Sequence, residues 1–540
     1  MKSNSNRKLM LLLVFAVFLI LRMFVQNPVY FIGGDDAKYL TLAKHFPYHT
    51  LDNKSLFLLH GPIYPYIIHF FSYVFQDYIG AIIFSLLCST AVFFVLYKLI
   101  MLLTKNYSLA MGTLFLFSLS AENIFFSNYI QKEEFMLMLF LTSIYFYVKG
   151  LMSSNKYFYF AAFFGAITAL TTDYVVFVLA SFVAAYFIFR NEKTKLRNAA
   201  LPFVITIIFY SFVLLTRIYV YTHNYYYSTG VDGVIEKVSD FGIRQIFAPA
   251  FFPETMKIVF SKSSITVNAI FIFGYMFNIV PFKFPDALDR NTISTLFSNN
   301  LAIFLTSVKL LAYLLLFLMF LFGLYNLFKE LKSRKMKNNA NLFFFLIFIV
   351  FLFPVTQRIT TIRMILMATI PLYYFIALGF AKIKFSGNIK TYLSVLFALA
   401  LLISPFYWIY GSNNFVLALD KSIEASNTAV FLNSLPKDGI MSQVGYSPEL
   451  NYQTGKRIIS MPSGPENLNV IIKDFKISYV LYGERYWEKF SDNNQVRVFN
   501  YDVIKYIKEH PDKFKLINII SEKNDKLNYS DTIYVYEVEN

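Results

Sequence analysis

The stretch Phe31-Ile32-Gly33-Gly34-Asp35-Asp36-Ala37-Lys38-Tyr39 follows closely on an apolar run at 9–26. Two adjacent carboxylates at such a boundary are costly to bring near hydrocarbon, and ionisable residues there mark a functional site by default. Their meaning depends on the chain around them. Of the 540 residues, 57% are hydrophobic and only 15% are charged. A hydrocarbon core about 30 Å thick requires spans of roughly 17–25 apolar residues. Eleven runs of this kind precede residue 412, at about 9–26, 79–104, 107–127, 133–150, 157–172, 174–190, 199–220, 299–328, 341–356, 361–381 and 390–411. The short pair around Thr171-Thr172-Asp173 reads either as two spans or as one broken helix. The expected fold is therefore mostly α: a polytopic membrane protein of about 11 transmembrane helices with a small external C-terminal α/β domain. The expected division is a membrane domain at 1–411, with external loops at 27–78 and 221–298, and a soluble domain at 412–540.

Orientation follows from the bias of lysine and arginine toward cytoplasmic loops. With Lys2, Arg7 and Lys8 inside, alternate loops carry Arg190, Lys193, Lys195 and Arg197, then Lys329, Lys332, Arg334, Lys335 and Lys337, then Lys382, Lys384 and Lys390. Glu192 and Glu330 are the acids that oppose them. This asymmetry predicts a multi-pass protein of the plasma membrane with a cytoplasmic N-terminus, and it puts Asp35, Asp36, the 221–298 loop and the C-terminal domain outside. The net charge of +16 thus resides mainly in the inner loops and does not indicate nucleic-acid binding. Cys88 is the single cysteine, so no intramolecular disulfide is available. The run at 9–26 lacks a small-x-small cleavage site before Asn27-Pro28 and reads as an uncleaved first helix.

Between the first spans, Ala37, Leu40, Ala43 and Lys44 follow helical spacing after Gly33-Gly34, which suits Asp35 or Asp36 to cap a helix. His60-Gly61-Pro62-Ile63-Tyr64-Pro65 then breaks the backbone, and Tyr66-Ile67-Ile68-His69-Phe70-Phe71 resumes an apolar pattern that fits a helix in the membrane interface. Tyr221 and Tyr225-Tyr226-Tyr227 read as an interfacial aromatic belt, with sugar stacking as the alternative. Beyond Gly411, short β-type runs at 439–442, 457–460, 477–482 and 532–536 alternate with helical patterns at 417–434, 466–474 and 501–509. Alternation of this kind points to a small α/β domain.

Chemistry-bearing groups on the outer side are few. Glu133 and Glu134 open a span beside Lys132, and a helix N-terminus stabilises one acid there more readily than it explains two. Asp173 at a helix break reads as a cap. Arg358 and Arg363 flank a short turn between spans. Arginine grips phosphate with a planar fork, though snorkelling at a span end serves equally well. Arg217 is a weaker candidate of the same type. His60 reads either as a donor to an anion or as a neutral loop residue. An external carboxylate acting as base toward a hydroxyl, with cations stabilising a departing phosphate, amounts to group transfer from a lipid-linked donor. No Walker loop, dinucleotide fingerprint, Cys/His metal cluster or serine elbow is present in the sequence.

These segments resemble the GT-C superfamily of glycosyltransferases, in particular the branch of dolichyl-phosphate-mannose–protein mannosyltransferases and bacterial aminoarabinose transferases. That branch has one span followed by an external Asp-Glu/Asp-x-x-Tyr segment, matched by Asp35-Asp36-Ala37-Lys38-Tyr39, and then a Lys/His-Pro-Pro-Leu-Tyr stretch, matched by His60-Gly61-Pro62-Ile63-Tyr64. A late segment, Arg363-Met364-Ile365-Leu366 through Ile370-Pro371-Leu372, is similar to the Arg-Tyr motif that precedes a Pro- and Leu-rich span in the family. Asp36 stands where Glu is commoner, Gly61 where the first Pro stands, and Met364 where Tyr is frequent. The resemblance implies inverting transfer of a sugar from a polyprenyl-phosphate donor, with Asp35 as base and Asp36 as its neighbour. Tyr39, His60, Lys132, Glu133, Glu134, Arg358 and Arg363 are the expected substrate-binding residues. The acceptor is a glycan, lipid or protein, and a divalent metal is left open because metal use varies across the superfamily. A transporter or flippase of a lipid-linked or polar substrate is the competing reading, and a receptor or scaffold built on the external domain is a third. The acids gather at one surface and no internal repeat is present, which counts against transport.

Overall fold

The structure, a computed structural model, describes residues 2–24, 35–44, 61, 63–75, 77–127, 130, 132–172, 175–191, 194–223, 300–333, 339–352, 362–382, 428–442, 447–461, 465, 468–474, 476–483, 501–524 and 529–539. They form two compact units. One takes in 1–26, 79–213 and 247–412, and the other 27–78, 214–246 and 413–540. The segment 27–78, expected as a loop of the membrane domain, thus groups with the C-terminal residues.

The first unit is helical. Its elements are α1 (Lys2–Phe24), α4 (Asp77–Thr104), α5 (Tyr107–Leu119), α6 (Ala121–Ser127), α7 (Glu133–Met152), α8 (Lys156–Thr171), α9 (Val175–Phe189), α10 (Leu196–His223), α11 (Asn300–Lys332), α12 (Ala340–Leu352) and α13 (Ile362–Lys382). In hydrocarbon every backbone N–H and C=O must be satisfied within its own segment, so apolar runs of this length become helices. Four of these helices are long and apolar enough to cross a membrane, with cores at Ile79–Thr104, Glu133–Met152, Leu196–Thr216 and Leu314–Lys332. The other helices of this unit coincide with further expected spans, except that 107–127 is two helices and 390–411 lies outside the described residues. The pair around Thr172 is likewise two helices, α8 and α9.

The exterior of this unit is greasy: Leu13, Phe163, Phe187, Phe212, Leu215 and Tyr325 are all exposed. Apolar patches of that extent do not face water in soluble monomers. Inside, Phe18, Phe93 and Phe117 stack through centroid separations of 5.0 and 6.1 Å, and Phe140 and Phe177 both meet Phe351. Between apolar helices in lipid, association depends on close packing and polar contacts instead of water exclusion. Both devices are present. A Cβ on Gly323 would strike the Phe375 carbonyl, and one on Gly379 the Met319 carbonyl, so α11 and α13 cross backbone to backbone. At the ends of the same helices, Tyr374 Oη donates to Asn341 Oδ1 at 2.6 Å and Asn341 Nδ2 donates to Glu330 Oε2 at 2.7 Å. Glu330 is therefore occupied in tying α11, α12 and α13 together.

The second unit contains α2 (Asp35–Lys44), α3 (Ile63–Phe75) and a five-stranded sheet. Its strands are β1 (Gly439–Ser442), β2 (Arg457–Ser460), β3 (Tyr479–Gly483), β4 (Phe514–Asn524) and β5 (Tyr529–Val538), in the order β2-β1-β3-β5-β4. The first three pair in parallel, whereas β5 is antiparallel to both β3 and β4. The helices α14 (Ser447–Thr454), α15 (Leu468–Asp474) and α16 (Tyr501–Glu509) alternate with the strands. A parallel sheet is covered on both faces, and strand side chains alternate between faces. Accordingly Met441, Val480 and Tyr482 join one apolar cluster with α15 and α16, while Ile440, Tyr479 and Leu481 join another with Leu450 of α14. Lys456 is buried, and its Nζ donates to the carbonyls of Leu435 at 2.7 Å and Lys437 at 3.0 Å. The α/β pattern read from the sequence is present, with β4 and α14 added to it. The polar residues of 447–454 and the mixed pattern of 514–524 gave no clear period, which is why both escaped the sequence reading.

α2 packs against both α3 and α14. α3 turns Phe70, Tyr73 and Phe75 outward and buries Tyr64, Pro65 and Ile68, as expected of a helix with one face toward lipid. Ahead of it, Gly61 has φ +79. Proline, held near φ −65°, cannot occupy that position, so the glycine that replaces the family's first proline follows from the local backbone.

Two outcomes are expected. Gly379→Val forces α11 and α13 apart and costs about 1–3 kcal/mol through overpacking, read as a lower thermal midpoint of the detergent-purified protein. At position 61, Ala carries the roughly 1–2 kcal/mol penalty of a left-handed residue, and Pro lowers the thermal midpoint further than Ala.

Candidate active site

In the second unit the two motif segments come together. Asp35 and Asp36 are the first two residues of α2, where the free N–H groups and dipole of a helix favour acids. One turn on, Tyr39 is buried and packs edge-on against Tyr64 of the His60–Pro65 segment, with centroids 4.9 Å apart and planes at 84°. Aromatic pairs prefer this T-shaped arrangement. At the other end of α2, His69 Nδ1 lies 2.6 Å from the Ala43 carbonyl and ties α3 to the last turn of the helix. α2 is thus clamped at both ends to α3, and it also rests on α14 of the sheet domain.

In the first unit, charged side chains gather where three helix ends meet. α5 stops at Ser120, whose backbone turns to φ −66 and ψ 120. Its Oγ then accepts from Asn123 Nδ2 at 2.7 Å and starts α6. The last carbonyls of α5 are left open, as at any helix C-terminus. Arg22, near the C-terminal end of α1, takes one of them: Nη1 donates to Ser118 O at 3.4 Å and to Phe18 O at 3.3 Å. Nε donates to Ser89 Oγ of α4 at 3.1 Å. The guanidinium lies 3.7 Å from the Phe18 ring centroid and 5.4 Å from that of Phe117, which adds cation–π attraction in a desolvated place. Arg22 is fully buried, as is Glu134 in the first turn of α7. Arg22 Nη2 and both carboxylate oxygens of Glu134 are buried without a hydrogen-bond partner.

The expected site residues therefore fall into separate places. Tyr39 is placed with Tyr64 in the second unit. Glu133 and Glu134 are both buried in the first turn of α7, and Lys132 occupies the cap position ahead of them without a capping side-chain bond. Arg363 is the second residue of α13. His60 and Arg358 lie outside the described residues, as do Tyr225, Tyr226 and Tyr227. Sequence reading passed over Arg22. The signal was available, since a charged residue inside an apolar run is rare and needs a partner. What the sequence lacked was any indication that Ser89 and Ser118 meet it.

Against this geometry, residues 59–216 match the family described as dolichyl-phosphate-mannose-protein mannosyltransferase. No curated protein sequence matches the chain. Among solved structures, the fold is similar to that of ArnT from Cupriavidus metallidurans bound to undecaprenyl phosphate. That likeness has a TM-score of 0.53 at 7% identity, over 97% of each chain. A slighter likeness, with a TM-score of 0.48 at 13% identity, links 88% of this chain to 69% of the Archaeoglobus fulgidus oligosaccharyltransferase. Apolar helices and the family match together make this a multi-pass membrane protein. The family match covers residues 59–216, and the likeness to ArnT is one of fold.

Proposed function

We propose that the chain is an inverting glycosyltransferase that moves a sugar from a polyprenyl-phosphate donor to an acceptor hydroxyl at the external face of the plasma membrane. The observation that carries this reading is the packing of Tyr39 on Tyr64. It joins the segment that opens with Asp35 to the segment that begins at His60, the two that bear the family's motifs. The likeness of the fold to a protein crystallised with undecaprenyl phosphate supports a lipid-phosphate donor.

In the reaction, Asp35 accepts the proton of the acceptor hydroxyl as general base. The acceptor oxygen forms its bond to the anomeric carbon from the face opposite the phosphate. The bond from that carbon to the phosphate oxygen breaks, its electron pair stays on the phosphate, and the configuration inverts. Charge building on the leaving phosphate is met by His60, Lys132, Arg358 and Arg363, since prearranged cations act most strongly where charge develops. Asp36 is the electrostatic neighbour of the base. Glu133 and Glu134 complete the set of proposed substrate-binding residues. Among the described residues no three His, Cys, Asp or Glu side chains form a group that could hold a metal.

The test is a panel of polyprenyl-phosphate sugars given to the purified protein, with release of polyprenyl phosphate measured with and without a chelator. Asp35→Asn is expected to lower turnover by about 10²–10⁴-fold while the thermal midpoint stays within about 2 °C. Full activity of that variant removes Asp35 from the mechanism. Movement of the lipid across a proteoliposome membrane without product favours the transporter reading instead.

A further inference from the structure

The hairpin that joins α7 to α8 gathers cations at one end of the bundle. Lys149 lies in the last turn of α7, and Lys156 is the first residue of α8. Their ammonium groups share one ring: Lys149 Nζ is 4.2 Å from the Tyr157 centroid and Lys156 Nζ is 5.5 Å from it. Lys149 Nζ also donates to Tyr145 Oη at 3.3 Å. A third cation, Arg190, follows the end of α9 and lies 5.5 Å from the Tyr186 centroid. The segment after it is tied to the same corner, since Thr194 Oγ1 donates to the Leu151 carbonyl at 3.5 Å. Among the described residues no carboxylate forms an ion pair with any of the three cations.

Helix electrostatics explains only one of the two lysines. The dipole favours a cation in a last turn, where Lys149 stands. Lys156 is placed the other way, at the head of a helix whose first turn has no acid, where the dipole disfavours it. A topology signal needs basic residues in the loop but no shared ring. Cation–π attraction holds each ammonium to Tyr157 and leaves their mutual repulsion in place. An anion at Tyr157 offsets that repulsion. The surface beside the ring indicates which kind. Tyr157 stacks on Phe146 at 6.1 Å, and Phe146 stacks in turn on Phe160 at 5.1 Å and Phe164 at 5.8 Å. Phe160 and its neighbour Phe163 are both exposed. From Tyr157 to Phe164 this apolar strip runs about 10 Å along α8, at 1.5 Å per residue. Cations at the head of a strip of rings match a phosphate that carries hydrocarbon. A free phosphate uses the cations and leaves the rings uncovered.

We propose that Lys149, Lys156 and Tyr157 bind the headgroup of an anionic phospholipid, with an acyl chain lying along Phe146, Phe160 and Phe164. Arg190 adds to the positive field at the same corner. Bound there, the lipid bridges α7 and α8. Lys149 is about 24 Å along α7 from Glu133, so the site stands apart from the proposed transfer chemistry and does not depend on it.

The test uses the full-length protein, purified in a neutral detergent and freed of lipid. Thermal midpoint and native mass spectrum are read with added phosphatidylglycerol, phosphatidylcholine or inorganic phosphate. The variants are Lys149→Gln/Lys156→Gln, Lys156→Gln alone and Lys149→Arg/Lys156→Arg. A control pair, Lys329→Gln/Lys332→Gln, removes the same charge from the end of α11. Phosphatidylglycerol is expected to stay bound to wild type and raise its midpoint by several degrees, whereas phosphatidylcholine and inorganic phosphate raise it by less than about 1 °C. The double Gln variant binds phosphatidylglycerol about 10- to 30-fold more weakly and Lys156→Gln about 5-fold more weakly, as for the loss of two cations or one near an anionic headgroup. The Arg pair and the control pair stay within about twofold of wild type.

Several results overturn the inference. An equal loss in the control pair means diffuse surface charge. A response to inorganic phosphate as large as that to phosphatidylglycerol means a site for a free anion. Wild type that ignores phosphatidylglycerol has no such site, and undiminished binding in the double Gln variant puts the lipid elsewhere. A dimer of the wild type that the double Gln variant cannot form makes this face an interface between copies. Lys156 is exposed, so Lys156→Gln decides the matter if the double variant does not fold.

Discussion

The governing constraint on this molecule is that hydrocarbon offers no hydrogen bonds. Each backbone polar group in the apolar runs must be satisfied locally, which makes those runs helical. Each charge placed among them needs a partner or a path to water. With hydrophobic attraction between helices largely absent in lipid, close backbone approach and polar contacts take over. The crossing of α11 and α13 at Gly323 and Gly379, and the Tyr374–Asn341–Glu330 chain at their ends, are this principle expressed in particular residues. The Arg22 layer is the same principle with charge in it. Two helix C-termini and Ser89 provide acceptors, and two phenylalanine rings shield the guanidinium.

The two compact units divide the chemistry-bearing residues between them. The Asp35–Asp36 segment belongs with α3 and the sheet domain, while Glu133, Glu134 and Arg22 belong to the helical bundle. Contact between α2 and α14 means that the acid-bearing helix is supported by residues more than four hundred positions later in the chain. The C-terminal domain is accordingly part of the frame that holds the first motif.

Gly61 shows how a departure from a family pattern acquires a physical meaning. Read in the sequence, it is a missing proline. At φ +79 it is a backbone state that proline cannot enter and other L-residues enter at a cost. The path from His60 into α3 therefore differs locally from one built on two prolines, although Tyr64 still reaches Tyr39.

Helix positions and the α/β character of the tail were legible in the sequence, because apolar run length, period-two alternation and turn residues are local properties of the chain. The break at Ser120 was less legible, since a serine among apolar residues is compatible with a continuous helix. It took the Asn123 contact to show that the run at 107–127 is two helices. The strand β4 was missed because its character comes from pairing with β5, not from its own alternation. The sequence by itself determined a membrane-embedded helical chain with an acid pair after the first apolar run. Only the tertiary structure decided that Arg22 reaches Ser89 and Ser118, that Tyr39 meets Tyr64 and that α2 is held by α14. Each of these joins residues far apart in the chain, and no local pattern encodes a contact whose two halves are set by the packing of other elements.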